Sequence, residues 1–321
     1  MPSIVSRDYA RPEDLRAMQS LVQATWTRRS HLHIGDLVWQ RYPRSVQPGW
    51  PTRLWISHGQ TLAWAWAWGG ADAPDDDNQF YVVAHPDRPA LLDEAIDWAE
   101  AATPGEVVGS IAYEHDTALT SALRRHGYAP RTTGPFGLHT FRSLHHLPPP
   151  ALPPGFQARS MAEIGDVARK VAAHRASWSR FAIYDPSDPP LVSGMTVARY
   201  EDMMGAWPYR PELDFAIEAP DGRLAASCTA WLDEANGVGL FEPVGVDPEF
   251  RRIGLSRGLC IAALHALKTA GATLATVKPR GDDAYPVPRH AYATMGFVSE
   301  GRQQVWVKQR GAVAEKPRAG G

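Results

Sequence analysis

Cysteine is almost missing from these 321 residues: only Cys228 and Cys260 occur, with no CxxC spacing. One falls in a strand-like context and the other in a helical one, so both read as buried thiols of a reducing compartment rather than a disulfide framework. Long apolar runs are missing as well. No stretch approaches a membrane span, and the N-terminus has no basic region followed by an apolar run. A cytoplasmic protein with no membrane partner is the expectation. Net charge is small, −2, with acids and bases interspersed, which argues against nucleic acid as the main partner. No metal-ligand spacing is present, and neither a Ser/His/Asp arrangement nor a Walker loop occurs, so no metal is expected.

The chain is organised around residues 242–271. An apolar run from Gly239 to Val246 reads as a strand and meets an Asp247-Pro248 break. A short loop with Arg251, Arg252 and Gly254 follows. Leu255, Leu259, Ala262, Ala263, Ala266 and Leu267 then fall at helical spacing, and Gly271 supplies a stop. Strand, basic turn, helix is an order that aims backbone N–H groups, a helix dipole and two guanidinium groups at one spot. A di- or triphosphate suits such a spot. Gly254 is expected to permit close backbone approach, and Ser256 to serve as an N-cap or hydroxyl donor.

Val246-Asp-Pro-Glu-Phe-Arg251-Arg-Ile-Gly254-Leu-Ser256 resembles the acyl-CoA pyrophosphate loop of the Gcn5-related N-acetyltransferases, the GNAT family. That loop reads V-x-P-x-x-[Q/R]-x-x-G-x-[G/A]; Ser256 replaces the usual Gly or Ala. The resemblance implies that Val244, Val246, Arg251, Arg252, Ile253, Gly254, Leu255, Ser256 and Arg257 hold acetyl-CoA, the acyl-donor substrate. A second match, Ala291-Tyr292-x-x-x-Gly296-Phe297, is similar to the family's final helix, where a tyrosine sits near the thioester sulfur. Tyr285 stands where the family often has an asparagine that contacts pantetheine.

The length suits two domains of about 150 residues each. His146 to Gly155 is a proline-rich connector unsuited to helix or central strand. The first half repeats the element order of the second: Phe80 to Ala84 is a strand, Pro86 echoes Pro248, and Leu91, Leu92, Ala95, Ile96 and Ala99 form a helical face. No phosphate-cradling glycines follow, since Pro89-Ala90-Leu91-Leu92 occupies their place. Pro12 to Trp26 and Met161 to Trp178 likewise echo each other, both ending in Trp-(Ser/Thr)-Arg. Trp64, Trp66 and Trp68 alternate with Ala63, Ala65 and Ala67, a strand with a bulky face and a thin one, suited to core, interface or an aromatic wall. The acidic loop from Ala71 to Asn78 reads as a solvated turn, and the Pro/Asp-rich stretch from Phe181 to Val192 as a loop, which the resemblance implies covers the acceptor site. The division expected is 1–145 as a degenerate GNAT-like domain, 146–155 as linker, 156–310 as the catalytic GNAT domain and 311–321 as a disordered tail. The fold class expected is α/β, two tandem domains, each a mixed and mostly antiparallel sheet flanked by helices.

The resemblance implies acetyl transfer from acetyl-CoA to a primary amine of a small molecule, such as an antibiotic, its precursor or another specialised metabolite. Glu242 is the candidate base, with His290 as an alternative, and Tyr292 the candidate donor to the departing sulfur. A monomer acting as a pseudo-dimer, or a homodimer, is expected. The competing reading is a non-catalytic acyl-CoA-binding sensor or scaffold, suggested by the first half's missing loop, Ser256 and Tyr285.

Overall fold

A computed structural model of the chain describes residues 3–44, 50–68, 79–178 and 193–310. The acidic loop at 71–78, the Pro/Asp-rich stretch at 181–192 and the tail from 311 lie outside them. In chain order the elements begin β1 (Val5–Asp8), α1 (Pro12–Thr25), α2 (Ile34–Trp39), β2 (Thr52–Ser57), β3 (Gln60–Trp68) and β4 (Gln79–Ala84). Next come α3 (Ala90–Ala102), β5 (Val107–Tyr113), α4 (Thr117–Arg125), β6 (Ala129–Pro130) and β7 (Gly137–Ser143). The order then repeats with β8 (Gln157–Ser160), α5 (Met161–Ile164), α6 (Val167–Trp178), α7 (Val197–Met204), β9 (Asp214–Glu218), β10 (Leu224–Asp233) and β11 (Val238–Val246). It closes with α8 (Leu255–Thr269), β12 (Leu274–Val277), α9 (Val287–Thr294) and β13 (Val298–Gln309).

Three strands, a helix, a strand, a helix and a returning strand thus occur twice. The helix expected from Met161 to Trp178 is broken into α5 and α6 because Gly165 takes a left-handed conformation, φ 64°, and stops the first piece. Helix α7 ends at Met204, before Gly205.

In space the chain groups into two compact units, Met1–Ala10 with Gly49–Thr133 and Gln304–Gly321, and Arg11–Pro48 with Gly134–Gln303. This grouping cuts across a sequential division at the proline-rich connector. Helices α1 and α2 and strand β7 belong to the second unit, and the last residues of β13 to the first. In the first unit β1, β2, β3 and β4 are antiparallel neighbours, while β4 and β5 run parallel with only Gln79↔Gly109 and Phe80↔Ser110 paired. The thin face of β3 explains its alanines: Ala63 and Ala65 join Leu91, Ala95, Ile96 and Ala99 of α3 in one core. The bulky face buries Trp64 and Trp66, and the Trp50 ring lies 5.3 Å from that of Trp66.

The second unit has strand order β13-β7-β12-β11-β10-β9-β8. Helix α8 buries Leu255, Leu259, Ile261, Leu264 and Leu267 against Phe241, Leu232 and Ala275 of its sheet, each large side chain worth about 1.5–3 kcal/mol in removed apolar surface. On another core, Trp39, Val171, Tyr200, Met203, Trp231 and Leu240 pack together.

A buried charge pair sits beside that core. The Asp214 carboxylate accepts from Lys170 Nζ at 2.6 Å and Thr229 Oγ1 at 3.1 Å on one oxygen. Its other oxygen accepts from Tyr200 and Tyr209 hydroxyls at 2.5 and 2.9 Å. Four donors satisfy a carboxylate that water does not reach. Burial and this carboxylate push the Tyr200 hydroxyl well above its ordinary pKa. Removing one partner strands the other charge, so Asp214→Ala should lower unfolding free energy by about 3–5 kcal/mol in a urea titration. A loss under about 1 kcal/mol would show that the pair is not held as seen.

Candidate active site

Strand β11 carries the site because it leaves one neighbour and keeps the other. It pairs with β10 along its whole length, from Asp233↔Val238 to Ala226↔Val246. Two β11 residues, Glu242 and Pro243, stand opposite Thr229 alone, a bulge that bends the strand. With β12 it pairs in parallel at only three positions, ending at Leu240↔Thr276. Beyond that point β12 continues beside β7 to Val277↔Thr140, and a gap opens between the two parallel strands. Asp247 N–H donates to Ala225 O at 3.0 Å. Strand alternation therefore turns the backbone polar groups of Val246 and Val244 away from β10, toward the gap.

The turn after β11 is built by short-range bonds. The Asp247 carboxylate accepts the Glu249 N–H at 3.0 Å, and Pro248–Phe250 forms a 3-10 turn. Arg251 Nε donates back to Val246 O at 3.3 Å, which keeps its guanidinium over the strand end. Arg252 and Gly254 both take left-handed backbone, φ 66° and 90°. Glycine is required at 254 for that conformation: a Cβ there would meet nothing within 4 Å, so crowding by the protein is not the reason. Gly254, not Ser256, is the N-cap of α8, and it offers no side-chain acceptor to the first-turn N–H groups. Arg251, Arg252, Ile253 and Arg257 are exposed, Ser256 is half-buried and Leu255 is buried. Arg257 donates to Thr294 O at 2.6 Å, tying the turn to the end of α9.

Tyr292 of α9 comes to the same core. Its ring meets Phe297 edge-on at 5.6 Å, and Phe297 lies 6.1 Å from Phe241 of β11. Burial first, then Cys260, Cys228 and Glu242, raise its pKa well above that of an ordinary phenol. Its hydroxyl is therefore held in the protonated form, able to donate a hydrogen bond. Glu242 is half-buried at the bulge, and its carbonyl accepts from Trp231 Nε1 at 2.6 Å. His290 lies on the exposed side of α9 and Tyr285 is half-buried in the loop before it. The charge of Arg251 bears on the Tyr285 phenol.

Several groups at the gap were not anticipated. Continuing the parallel register places Lys278 as far past the last pair as Glu242. Lys278 pairs with Asp36 of α2, whose carboxylate also accepts the His33 N–H at 2.6 Å. Two neutral imidazoles accompany the pair. Burial and the Lys278 charge lower His31 to about 4 and His139 to about 3. Their sequence signal was weak, because Asp36 is distant in the chain and the lysine simply follows a strand. In the first unit, a cavity of about 680 Å³ is lined by residues that include Glu100, Arg125 and Lys308; Lys308 pairs with Glu100 and Arg125 with Asp93.

No protein-family model matches this sequence, and no curated protein matches it. Solved structures do. A GCN5-related N-acetyltransferase from Sphaerobacter thermophilus superposes with a TM-score of 0.58 at 19% identity, covering 97% of each chain. A tandem GNAT protein from the clavulanic acid biosynthesis pathway gives 0.61 at 16% identity, covering 97% of this chain and 99% of its own. Saccharomyces cerevisiae N-myristoyltransferase, solved with bound myristoyl-CoA, gives 0.54 at 12% identity over 97% of this chain and 80% of its own. The fold is that of the Gcn5-related N-acetyltransferases, in tandem.

The Tyr292 hydroxyl makes no hydrogen bond to any described residue, so Tyr292→Phe should leave stability at neutral pH within about 0.5 kcal/mol of the parent. The raised phenol contributes stability that is complete below about pH 10 and lost as pH climbs beyond it. Alkaline unfolding of Tyr292→Phe should accordingly be shallower above pH 10 than that of the parent, and an identical profile would contradict the shifted phenol.

Proposed function

We propose that the chain is an acetyl-CoA-dependent N-acetyltransferase acting on a primary amine of a small molecule. The observation that carries this reading is the early end of the β11–β12 ladder, which leaves an open backbone edge leading to a basic, left-handed turn. Val244 and Val246 would bond the pantetheine arm as an added strand does. Arg251, Arg252, Ile253, Gly254, Leu255, Ser256 and Arg257 would surround the pyrophosphate, which the N–H groups opening α8 and the guanidinium charges both favour. The sequential arrangement, 1–145 and 156–310 joined by the proline-rich connector, with the second half catalytic, belongs to the same proposal. So do a cytoplasmic location and a monomer working as a pseudo-dimer, or a homodimer.

The chemistry asks little of the protein. An alkylammonium of pKa 10.4 is only about one part in 2,500 neutral at pH 7, so a base near the amine matters. Glu242, at the bulge beside the gap, would serve as that base, directly or through water. Tyr292 donates to the sulfur as the C–S bond lengthens. An ordinary phenol would give its proton to a thiolate at a cost of about 2 kcal/mol, and the raised pKa makes full transfer costlier. Tyr292 is therefore a hydrogen-bond donor to developing charge, not a proton source.

Release of free CoA thiol with a panel of primary amines tests the proposal. Glu242→Gln should lower kcat by about 10²–10⁴-fold, and Tyr292→Phe by a smaller factor, with acetyl-CoA affinity kept in both. Binding without turnover across the whole panel would replace the enzyme by an acyl-CoA sensor.

A further inference from the structure

The cavity of the first unit, about 680 Å³, lies where α3 and α4 end beside the last residues of β13. The turn from Arg251 to Gly254 opens a helix instead, so this cavity is not the first unit's copy of that turn. Small residues make the room: Ala101 on α3, and Gly127, which follows α4 with φ 82°. A Cβ at Gly127 would stand 3.9 Å from Lys308 Cε, so the lysine stem runs beside the end of α4.

Charges of both signs surround the cavity, and most of their hydrogen bonds are committed. The Arg310 guanidinium holds backbone carbonyls at the end of α3, those of Glu100, Thr103 and Gly105. One Glu100 carboxylate oxygen accepts from Lys308 Nζ at 2.7 Å and the other from the Tyr128 hydroxyl at 3.1 Å. Arg125 gives Nε and Nη2 to Asp93. Asp93 also faces one ring nitrogen of His126 at 3.0 Å, and Asp97 faces the other at 3.2 Å.

Two sets of polar atoms are left over. Arg125 Nη1 and the remaining N–H groups of Lys308 donate to no described residue, and the second oxygen of Asp97 accepts from none. All are within reach of a ligand, since the Asp97, Arg125 and Lys308 side chains are 76%, 56% and 30% exposed. Arg125, Lys308 and Arg310 balance Asp93, Asp97 and Glu100, so a ligand of one sign would leave a charge unmatched. A ligand carrying both signs would not. The C-terminal ends of α3 and α4 favour a positive group beside Asp97, and the lysine and arginine donors favour a carboxylate. Asp97 and Glu100 are one turn apart on α3, about 5–6 Å between Cβ atoms, and Lys308 lies beyond Glu100.

We propose that this cavity binds a small zwitterion, its ammonium on Asp97 and its carboxylate on Lys308 and Arg125, the two charges about one helical turn apart. The assignment does not depend on the acetyltransfer reading.

Three probes separate the outcomes: 4-aminobutyrate, which has that span, butylamine, which keeps only the ammonium, and butyrate, which keeps only the carboxylate. Each is titrated into the full-length protein by ligand-observed NMR at low salt. The zwitterion should bind about tenfold tighter than either single-charge probe. Asp97→Asn, at an exposed position, should bring 4-aminobutyrate down to the affinity of butyrate while leaving butyrate binding no weaker. Lys308→Gln is the complementary variant, and should bring 4-aminobutyrate down toward butylamine. Equal affinity for all three probes, no binding of any, or a preference kept in folded Asp97→Asn overturns the site.

Discussion

The parting of β11 from β12 after Leu240 and Thr276 governs the second unit. Two parallel strands that stayed paired would satisfy one another's backbone and leave nothing for a substrate. The bulge at Glu242-Pro243 breaks the regular run of β11 beside β10, and β12 goes on alone beside β7. The exposed edge is costly in a packed sheet, because backbone polar groups need partners. An extended, amide-bearing molecule can supply them. Glu242 and Lys278 stand two residues past the last pair, where the gap begins, and the turn from Arg251 to Gly254 follows the end of β11.

Rigid surroundings keep the gap open. Asp214 fastens α6, α7 and β10 through four donors, three of them buried and the fourth, Tyr209, half-buried. Asp36 fastens α2 to the residue that follows β12. Neither interaction would add much on the surface. Low dielectric and complete satisfaction give them their weight. The first unit keeps an equally brief parallel pair, β4 with β5, yet its helix α3 opens at Pro89-Ala90 with no left-handed glycine.

The sequence revealed what depends on local rules. Asp-Pro after an apolar run, glycine at a left-handed position and leucines at helical spacing marked β11, the turn and α8 correctly, since each is decided within a few residues. The repeated element order was legible for the same reason. Long-range matters were not. The motif marked residue 254 as glycine for close backbone approach but not for its left-handed conformation, and it offered Ser256 as a cap that Gly254 supplies instead. Nothing local indicated that α1 and α2 group with the second unit, because that choice depends on which sheet face their apolar stripes meet. Buried charges were equally hidden: Lys170 and Asp214 sit in ordinary helix and strand patterns, and only the packed core makes them partners.

Calorimetric titration of the intact protein with acetyl-CoA, repeated on Arg251→Glu combined with Gly254→Asp, tests the reading of the gap most directly. One site per chain, abolished in the variant, is the predicted result, because both changes put negative charge where the pyrophosphate would lie. Two sites would mean that the first unit binds as well. No binding by the intact protein would contradict the account and leave the fold without the activity.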